Sequence, residues 1–387
     1  MSPRAKHEAK RNILSLPGRK MTPEKQEKRE GLLDEDRLNV LVLGAAGSGK
    51  STLIEAILPY VQADDFMMLI DPAPGKLKAY RKEPVSIIWY CLDGMQPRIL
   101  EEDLDGLRTA AKLFSDVPLI AVFTRSLGTE EKDFANITML QDALAGYRHH
   151  KDLAPRTKDI ICVLAQEFET PLGILPVRGL NRLMERTREC AAEAGEAARA
   201  RSVRSIAQSL KKKEADAIVA ASAAAAATIG AVPVSFPDAT LLVPLQTGML
   251  ARITKLYDLK DKSAASQITE SALKAGATTI VGRSLLVALK GIPVVGTIGG
   301  SVLNAAVAAA VTAAVGETTV IVYDKIERGE IALDGSTDLG RIVNEVFSGR
   351  LPDIVSVVAK AFAGKKASEI PKDLAKLAYD MVMKNRK

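Results

Sequence analysis

The chain of 387 residues is predicted to fold as a doubly wound, mostly parallel α/β sheet followed by an all-α, alanine-rich helical domain. In its first half, short apolar runs alternate with longer mixed segments, as expected for strands that are buried on both faces and joined by helices. In its second half alanine is frequent and three long stretches carry no charge. Only 4% of all residues are aromatic, which favours closely packed helices over a β-rich core. A chain of this length can form two domains with separate cores.

Five apolar runs are predicted as the strands of the first domain. They are Leu38–Leu43, Phe66–Ile70, Val85–Leu92, Val117–Phe123 and Ile160–Ala165. Helices are predicted between them at Ser51–Val61, Glu101–Phe114 and Thr138–Tyr147. We expect four parts along the chain: a basic, disordered tail over residues 1–37, the α/β domain over 38–190, the apolar helical domain over 191–330 and C-terminal helices over 331–387.

One glycine-rich segment fits the pattern G-x-x-x-x-G-K-[ST] at every required position and lies between a predicted strand and a predicted helix. It consists of Gly44, Ala45, Ala46, Gly47, Ser48, Gly49, Lys50 and Ser51, and Thr52 follows in the helix. Glycines let backbone N–H groups approach phosphate oxygens, and the helix N-terminus adds positive potential. We expect Lys50 to contact the β- and γ-phosphates and the Ser51 hydroxyl to ligate Mg²⁺. A chance glycine-rich turn is the alternative, but motif and context together favour nucleotide binding by a P-loop NTPase domain.

Further segments carry a resemblance to a known family. They are Ile88–Asp93 with Arg98–Ile99, Gly179–Leu183, Ile229–Pro233 with Phe236–Ala239 and Val243–Met249, and Gly291–Thr297. With them the chain resembles bacterial Era-like GTPases that carry a C-terminal helical domain of the YcjF type, and it is loosely similar to immunity-related GTPases. The resemblance covers about residues 38–330. It implies GTP or GDP with Mg²⁺ as the ligand and a membrane-associated helical domain.

The chain departs from this family between the glycine-rich segment and the next motif. Only about 20 positions separate Ser51 from Asp71, too few for a helix and a complete switch I loop. Asp71–Gly75 stands where the family has D-x-x-G, with its glycine one place late. Asp71 is expected either to hold Mg²⁺ through water or to initiate a turn before proline, and the sequence favours neither.

The guanine-reading motif [NT]-K-x-D is also degenerate, because Thr124-Arg125-Ser126-Leu127 replaces it. The carboxylate that would accept hydrogen bonds from guanine is missing at Leu127, so discrimination against adenine should fall. Thr124 and Arg125 remain candidates for contacting the base, and Ala165 is a small residue whose backbone N–H is expected to reach it. Neither a water-orienting glutamine nor an arginine finger is evident. We therefore expect slow or absent hydrolysis and assign no catalytic residue.

The second half contains long stretches without charge: Ala217–Val234, Ala239–Ala251 and Gly291–Gly316. Proline and glycine interrupt them, which indicates hairpins rather than one clean spanning helix. Two interpretations stay open. The helices form a soluble bundle, or hairpins enter a bilayer with Lys211–Lys213 as a basic collar at the headgroups.

The N-terminal tail holds nine basic and three acidic side chains over residues 1–29, which equals the net charge of +6 of the whole chain. A solvated tail is the simpler interpretation, and an arm that contacts anionic lipid is the alternative. The tail has no interleaved aromatic residues, so no nucleic-acid partner is expected. Three cysteines, an odd number, offer no disulfide framework, and from the residues at the start of the chain we expect no signal peptide. These features favour the cytoplasm, with peripheral association at the inner face of the cell membrane.

Together these features predict a GTP-binding protein with weak or absent hydrolysis that acts as a membrane-linked switch or scaffold. The expected partners are a guanine nucleotide, with ATP left open, an anionic membrane surface and a second copy bound through the G domain. One alternative is a slow NTPase that depends on dimerisation. Another is a pseudo-GTPase that binds a partner without nucleotide.

Overall fold

The computed structural model describes residues 37–61, 67–72, 75–127, 130–146, 157–170, 173–193, 197–231, 239–277, 300–363 and 374–384. The predicted tail lies outside these residues except for Arg37, and so does the segment Gly291–Thr297. The chain divides into two compact units. The first contains residues 1–166 and 177–210, and the second contains residues 167–176 and 211–387.

A five-stranded parallel sheet in the order β2-β1-β3-β4-β5 forms the first unit. Its strands are β1 Leu38–Gly44, β2 Met67–Ile70, β3 Ile87–Asp93, β4 Leu119–Thr124 and β5 Thr157–Cys162. All four neighbouring pairs are parallel, which confirms the predicted parallel α/β sheet. Parallel strands need crossover connections, and the intervening helices provide them.

The sheet is buried on both faces, as its continuous apolar strands predict. Val42 and Trp89 belong to one hydrophobic core, whereas their chain neighbours Leu43 and Tyr90 belong to the other. Successive side chains of a strand point to opposite faces, so each strand supplies both cores. Trp89 is fully buried in the first of them.

The helices of the first unit are α1 Lys50–Ile57, α2 Glu101–Leu113, α3 Glu130–Gly146 and α4 Leu180–Glu193. The helix α3 begins earlier than the predicted start at Thr138. Acidic residues at its first positions favour a helix N-terminus. Phe134, the large apolar residue of this early part, is 70% exposed. The first turns of α3 therefore lack the regular buried positions from which a helix is predicted.

The second unit consists of a β-hairpin and a set of helices. The antiparallel strands are β6 Phe168–Thr170 and β7 Gly173–Leu175. The helices are α5 Ala197–Gly230, which begins in the first unit, α6 Ala239–Tyr257, α7 Lys262–Ala277, α8 Gly300–Glu327, α9 Leu339–Ala363 and α10 Leu374–Lys384.

Small residues allow the helices of the second unit to pack closely, as the alanine-rich composition predicts. A Cβ on Gly230 would lie 2.8 Å from the carbonyl oxygen of Asn304 on α8, and a Cβ on Gly316 would lie 2.6 Å from the Val219 side chain on α5. Alanines of α5 and α8 make up much of the same buried core. Because alanine adds little volume, backbones at these positions come nearer than leucine would permit.

The helix α8 has the strongest membrane-like composition among the described residues. Within Asn304–Glu327 an 18-residue window has a mean hydropathy of 1.8, which together with the length of the helix would allow it to cross a bilayer. However, 83% of its most apolar window is buried within the protein, and α8 contacts α6, α7, α9 and α10. A buried core helix has the same length and composition.

The compact units do not follow the domain boundaries expected at residues 190 and 330. Val203, Ile206, Ala207 and Leu210 of α5 are fully buried and belong to a core of the first unit. Their spacing of i, i+3, i+4 and i+7 places them on one helix face, so the first unit extends to residue 210. At the other boundary, residues on both sides of position 330 share the core of the second unit.

Candidate functional site

The carboxyl ends of the parallel strands meet at one edge of the sheet, where most of the predicted site residues are found. Gly44 at the end of β1 is in register with Cys91 on β3, and Asp93 at the end of β3 is in register with Thr124 on β4. Ligands of open α/β sheets bind at this edge.

The segment Gly44–Ser51 leaves β1 and turns directly into α1. Gly44 and Gly49 have φ values of 140° and 79°. A Cβ on Gly44 would lie 2.3 Å from the carbonyl oxygen of Cys91, and a Cβ on Gly49 would lie 2.8 Å from Thr124 Oγ1. Only glycine satisfies both the backbone conformation and this close approach. The two glycines therefore let the segment lie against the ends of β3 and β4.

The last residues of the segment, Gly49–Ser51, form the N-terminus of α1. Its N-cap is Gly49, which has no side chain to cap the first turn, and that turn contains no acidic residue. The first N–H groups of an α-helix have no partner within the helix and carry partial positive charge. Together with Lys50, they make this end of α1 a region of positive potential that suits an anion.

Lys50 places its ammonium over the segment. Its Nζ donates hydrogen bonds to the carbonyl oxygens of Gly44 at 3.0 Å and Ala45 at 2.8 Å. Asp71 directly follows β2, the strand that pairs with β1. Partial burial raises the pKa of Asp71, and the positive charge of Lys50 opposes that rise. The predicted phosphate-binding lysine and the predicted metal-binding aspartate are thus close enough to interact electrostatically.

Thr124 has a structural contact that the sequence did not predict. Its Oγ1 lies 2.6 Å from the carbonyl oxygen of Ser48 and 3.1 Å from that of Leu92. A hydroxyl has one proton, so it donates mainly to the nearer oxygen. Thr124 is only 2% exposed. Its side chain therefore holds the Gly44–Ser51 segment in place, and its predicted contact with a base stays a prediction.

Arg125 lies at the end of β4 in a left-handed conformation with φ 52°. Its guanidinium forms an ion pair with Asp93 at the end of β3. The other carboxylate oxygen of Asp93 accepts a hydrogen bond from the backbone N–H of Met95 at 3.0 Å. Asp93 was not among the predicted site residues. An aspartate at the carboxyl end of a predicted strand was the signal that could have identified it.

Ala165 belongs to the loop that follows β5, and this loop is joined to the loop after β4. The backbone N–H of Ser126 donates to the carbonyl oxygen of Val163 at 3.0 Å. Ala165 itself is 8% exposed. Arg178, which pairs with Leu164, provides a second link through the carbonyl oxygen of Ser126, and it also binds Asp133 at the start of α3. Neither Arg178 nor Asp133 was a predicted site residue. Their separation along the chain gives no signal in the sequence.

Two thiols lie near this edge, Cys91 buried and Cys162 partly buried. Cys91 and Cys162 are free, and burial raises the pKa of each thiol to about 12. A raised pKa favours the protonated thiol, which is a poor nucleophile.

The predicted metal ligands have a donor chemistry that fits Mg²⁺. Ser51 is exposed and Asp71 is half-buried, so one hydroxyl and one carboxylate are present at the same edge. Mg²⁺ is commonly held by one or two protein oxygens together with phosphates and water. Within the described part of the chain, no group of three or more His, Cys, Asp and Glu side chains is arranged to hold a metal ion.

No model of a known protein family matches this chain, and no curated protein sequence matches it. The resemblance to Era-like GTPases with a YcjF-type helical domain therefore rests on the sequence segments quoted above and stays a prediction. The part of the expected fold that the structure confirms is coarser: an α/β domain with a five-stranded parallel sheet and a helical region.

Proposed function

We propose that this protein binds a nucleoside di- or triphosphate with Mg²⁺ at Gly44–Ser51 and acts as a GTP-binding switch or scaffold with weak or absent hydrolysis. One observation carries the proposal. The segment joins the carboxyl end of a buried parallel strand to the N-terminus of α1, and its lysine lies over the backbone carbonyls of Gly44 and Ala45. This arrangement brings backbone donors, helix potential and an ammonium group to one point.

Each residue of the segment has a distinct part in this proposal. The glycines bring the backbone near the phosphates, and the N–H groups at the start of α1 donate to phosphate oxygens. Lys50 neutralises charge on the terminal phosphates. Ser51 and Asp71 would hold Mg²⁺, Asp71 through water, and the ion when bound neutralises further phosphate charge. Attraction between Lys50 and Asp71 fits this division, because the two groups would flank the same anion.

The choice of guanine rests on the resemblance, and the residues support only weak discrimination. Leu127 offers no carboxylate to the base. The guanidinium of Arg125 is held by Asp93, so it reaches a base only with the geometry that this ion pair permits. We therefore propose relaxed selection between guanine and adenine.

The central test is binding of GDP, GTP and ATP with Mg²⁺ to the wild type and to Lys50→Ala, followed by thermal unfolding and by fluorescent nucleotide titration. A nucleotide at a hundred times its dissociation constant should stabilise the wild type by about 2.7 kcal/mol. Lys50→Ala should lose most of this stabilisation. The exposed residue Lys112 on α2 supplies the control, since Lys112→Ala removes one positive charge from another helix. Absence of a shift with every nucleotide at millimolar concentration would refute the proposal.

Turnover separates the proposal from a dimerisation-dependent NTPase. The short link between Ser51 and Asp71 leaves too few residues for a complete switch I loop, which supports weak hydrolysis by one copy. We expect phosphate release per molecule to stay constant as the protein concentration rises. A steep increase would favour a second copy that completes the site.

We also propose peripheral association with an anionic membrane in preference to a spanning helix. The extensive burial of the apolar window of α8 supports this preference. Basic residues near an anionic surface contribute about 1 kcal/mol each. Vesicle flotation should therefore show binding at low salt that weakens at high salt, and a chain that begins at Leu38 should bind less. If both proteins ignore anionic vesicles at low salt, the soluble-bundle interpretation is favoured.

A further inference from the structure

One arginine connects the loops that follow β4 and β5. Arg178 lies just before α4, and its Nη2 donates to the carbonyl oxygen of Ser126 at 2.9 Å. The same nitrogen donates to Asp133 Oδ1 at 3.0 Å, while Nη1 binds Asp133 Oδ2. The guanidinium thus contacts a carboxylate with two nitrogens and a backbone carbonyl with one of them. This bidentate geometry is strong and directional.

Further hydrogen bonds close the same network. The hydroxyl of Ser126 donates to Asp133 Oδ1, and the backbone N–H of Ser126 donates to the carbonyl oxygen of Val163. Arg178 and Leu164 exchange two backbone hydrogen bonds of 3.0 Å each. The loops after β4 and β5 are therefore joined by hydrogen bonds of both the main chain and the side chains.

The network is partly shielded from water. Ser126 is 1% exposed, and the side chains of Asp133 and Arg178 are 13% and 28% exposed. Partial burial strengthens a charge-assisted hydrogen bond, and it makes the loss of one partner costly because the other charge stays in place. The loop positions are thus fixed by a small number of specific contacts.

We propose that Arg178 is a positioning residue that holds the base-side wall of the nucleotide site. The inference rests on the proposed function, which assigns the base to the loops containing Arg125 and Ala165. Arg178 binds the residue after Arg125 through its side chain and pairs with Leu164, the residue before Ala165, through its backbone. It also forms a bidentate ion pair with Asp133 at the start of α3.

If Arg178 has this role, nucleotide affinity has two contributions that can be measured separately, one from the phosphates and one from the nucleoside. Phosphate groups are bound by Gly44–Ser51, where Thr124 and Lys50 make the local contacts. Inorganic pyrophosphate uses that segment alone, whereas GDP and ADP also need the base-side wall. Loss of Arg178 should weaken the nucleosides selectively, because a preorganised wall becomes mobile while the phosphate segment keeps its contacts.

The test measures GDP, ADP and pyrophosphate binding, each with Mg²⁺, by calorimetry on the full chain. Arg178→Met should weaken both nucleotides about tenfold or more and leave pyrophosphate within about twofold, as expected for losing hydrogen bonds to a charged group. Asp133→Asn, which keeps the shape but removes the charge, should lower the ratio of nucleotide affinity to pyrophosphate affinity by a smaller factor. Arg182→Met is the matched control: Arg182 is an exposed arginine of α4 whose ion pair with Asp159 is 3.3 Å long.

The outcomes distinguish this inference from the function on which it rests. If the wild type binds neither nucleotide nor pyrophosphate, both fail. If the wild type binds all three and Arg178→Met leaves the ratio of nucleotide to pyrophosphate affinity unchanged, only the positioning role fails. A parallel loss of all three ligands in both Arg178→Met and Asp133→Asn would assign the network to general stability and would also overturn the inference.

Discussion

Replacement of Thr187 by valine should destabilise the first unit by removing one buried hydrogen bond. Trp89 on β3 donates from its indole Nε1 to Thr187 Oγ1 on α4 at 3.0 Å. Both residues are fully buried, so water cannot replace the lost acceptor. Valine has nearly the same shape as threonine, and the substitution therefore tests the hydrogen bond with little change in packing.

The expected loss in the free energy of unfolding is about 1–3 kcal/mol. Thr187 Oγ1 also donates to the carbonyl oxygen of Leu183 at 2.7 Å, but that oxygen lies within α4, where the helical backbone supplies another donor. The indole N–H of Trp89 is the group left without its partner. An unsatisfied buried donor costs about 1–3 kcal/mol, and the added methyl group recovers part of this through burial.

The protein provides its own reporter for this measurement. Trp89 is the single tryptophan of the chain, so intrinsic tryptophan fluorescence follows the first unit during urea unfolding. With a slope of about 2 kcal/mol per molar urea, a loss of 2 kcal/mol lowers the midpoint by about 1 M. Thr109→Val on α2 is the matched control. Thr109 is exposed and also donates to the carbonyl oxygen four residues earlier, and its replacement should change stability by less than about 0.5 kcal/mol.

Two results would contradict this reasoning. If Thr187→Val and Thr109→Val lower the urea midpoint equally, the hydrogen bond from the buried indole of Trp89 does not add to the stability. If Thr187→Ser, which keeps the hydroxyl and loses only the methyl group, is less stable than Thr187→Val, the buried methyl group and not the hydrogen bond makes the larger contribution at this position.

Three further predictions concern other parts of the chain. Gly316→Ala should destabilise the protein by about 1–3 kcal/mol in urea unfolding followed by circular dichroism, because its Cβ would lie 2.6 Å from a valine side chain. Gly248→Ala should instead stabilise the protein by about 0.5–1 kcal/mol, because a Cβ on Gly248 has nothing within 4 Å. If both substitutions change the free energy of unfolding in the same direction, the packing argument is contradicted. Arg350→Met should cost about 3–5 kcal/mol at pH 7, because Arg350 Nη2 lies 2.8 Å from Oε2 of Glu317, a carboxylate whose side chain is only 2% exposed and which would lose this charged partner. Burial raises the pKa of Glu317, and Arg350 opposes that rise. This penalty should fade as the pH falls below about 4, where Glu317 is protonated in both states, and a pH-independent loss would refute it. Leu127→Asp should increase the preference for GTP over ATP in competition binding, and a wild type that already prefers guanine by more than about a hundredfold would show that other groups read the base.

The sequence alone was sufficient for features that depend on local patterns. Continuous runs of Leu, Val and Ile predicted all five strands, because a parallel strand must be apolar on both faces. The positive φ values at Gly44 and Gly49 were likewise predictable from the glycine-rich motif. The lack of space for a side chain there was not, because it comes from Cys91 and Thr124, which only the folded sheet brings close.

Boundaries were harder to predict because they depend on which core covers an amphipathic helix. The face of α5 formed by Val203, Ile206, Ala207 and Leu210 is equally compatible in sequence with either unit, and only packing assigns it to the first. The hairpin of residues 167–176 is assigned to the second unit for the same reason, although its neighbours on both sides along the chain belong to the first. Apolar periodicity predicts that one face of a helix is buried, but it does not predict which other element covers that face.

The side chains that join the loops at the sheet edge were determined only by the tertiary structure. Arg178 meets Ser126 across 52 positions and Asp133 across 45 positions, and the Asp93–Arg125 pair spans 32. Such pairs form because the strand order places the ends of β3, β4 and β5 side by side. That order is a property of the assembled sheet, and the chemistry of an ion pair has no characteristic spacing along the chain. The sequence by itself therefore determined the strands and the glycine-rich segment, whereas the folded sheet decided which distant charges hold the surrounding loops together.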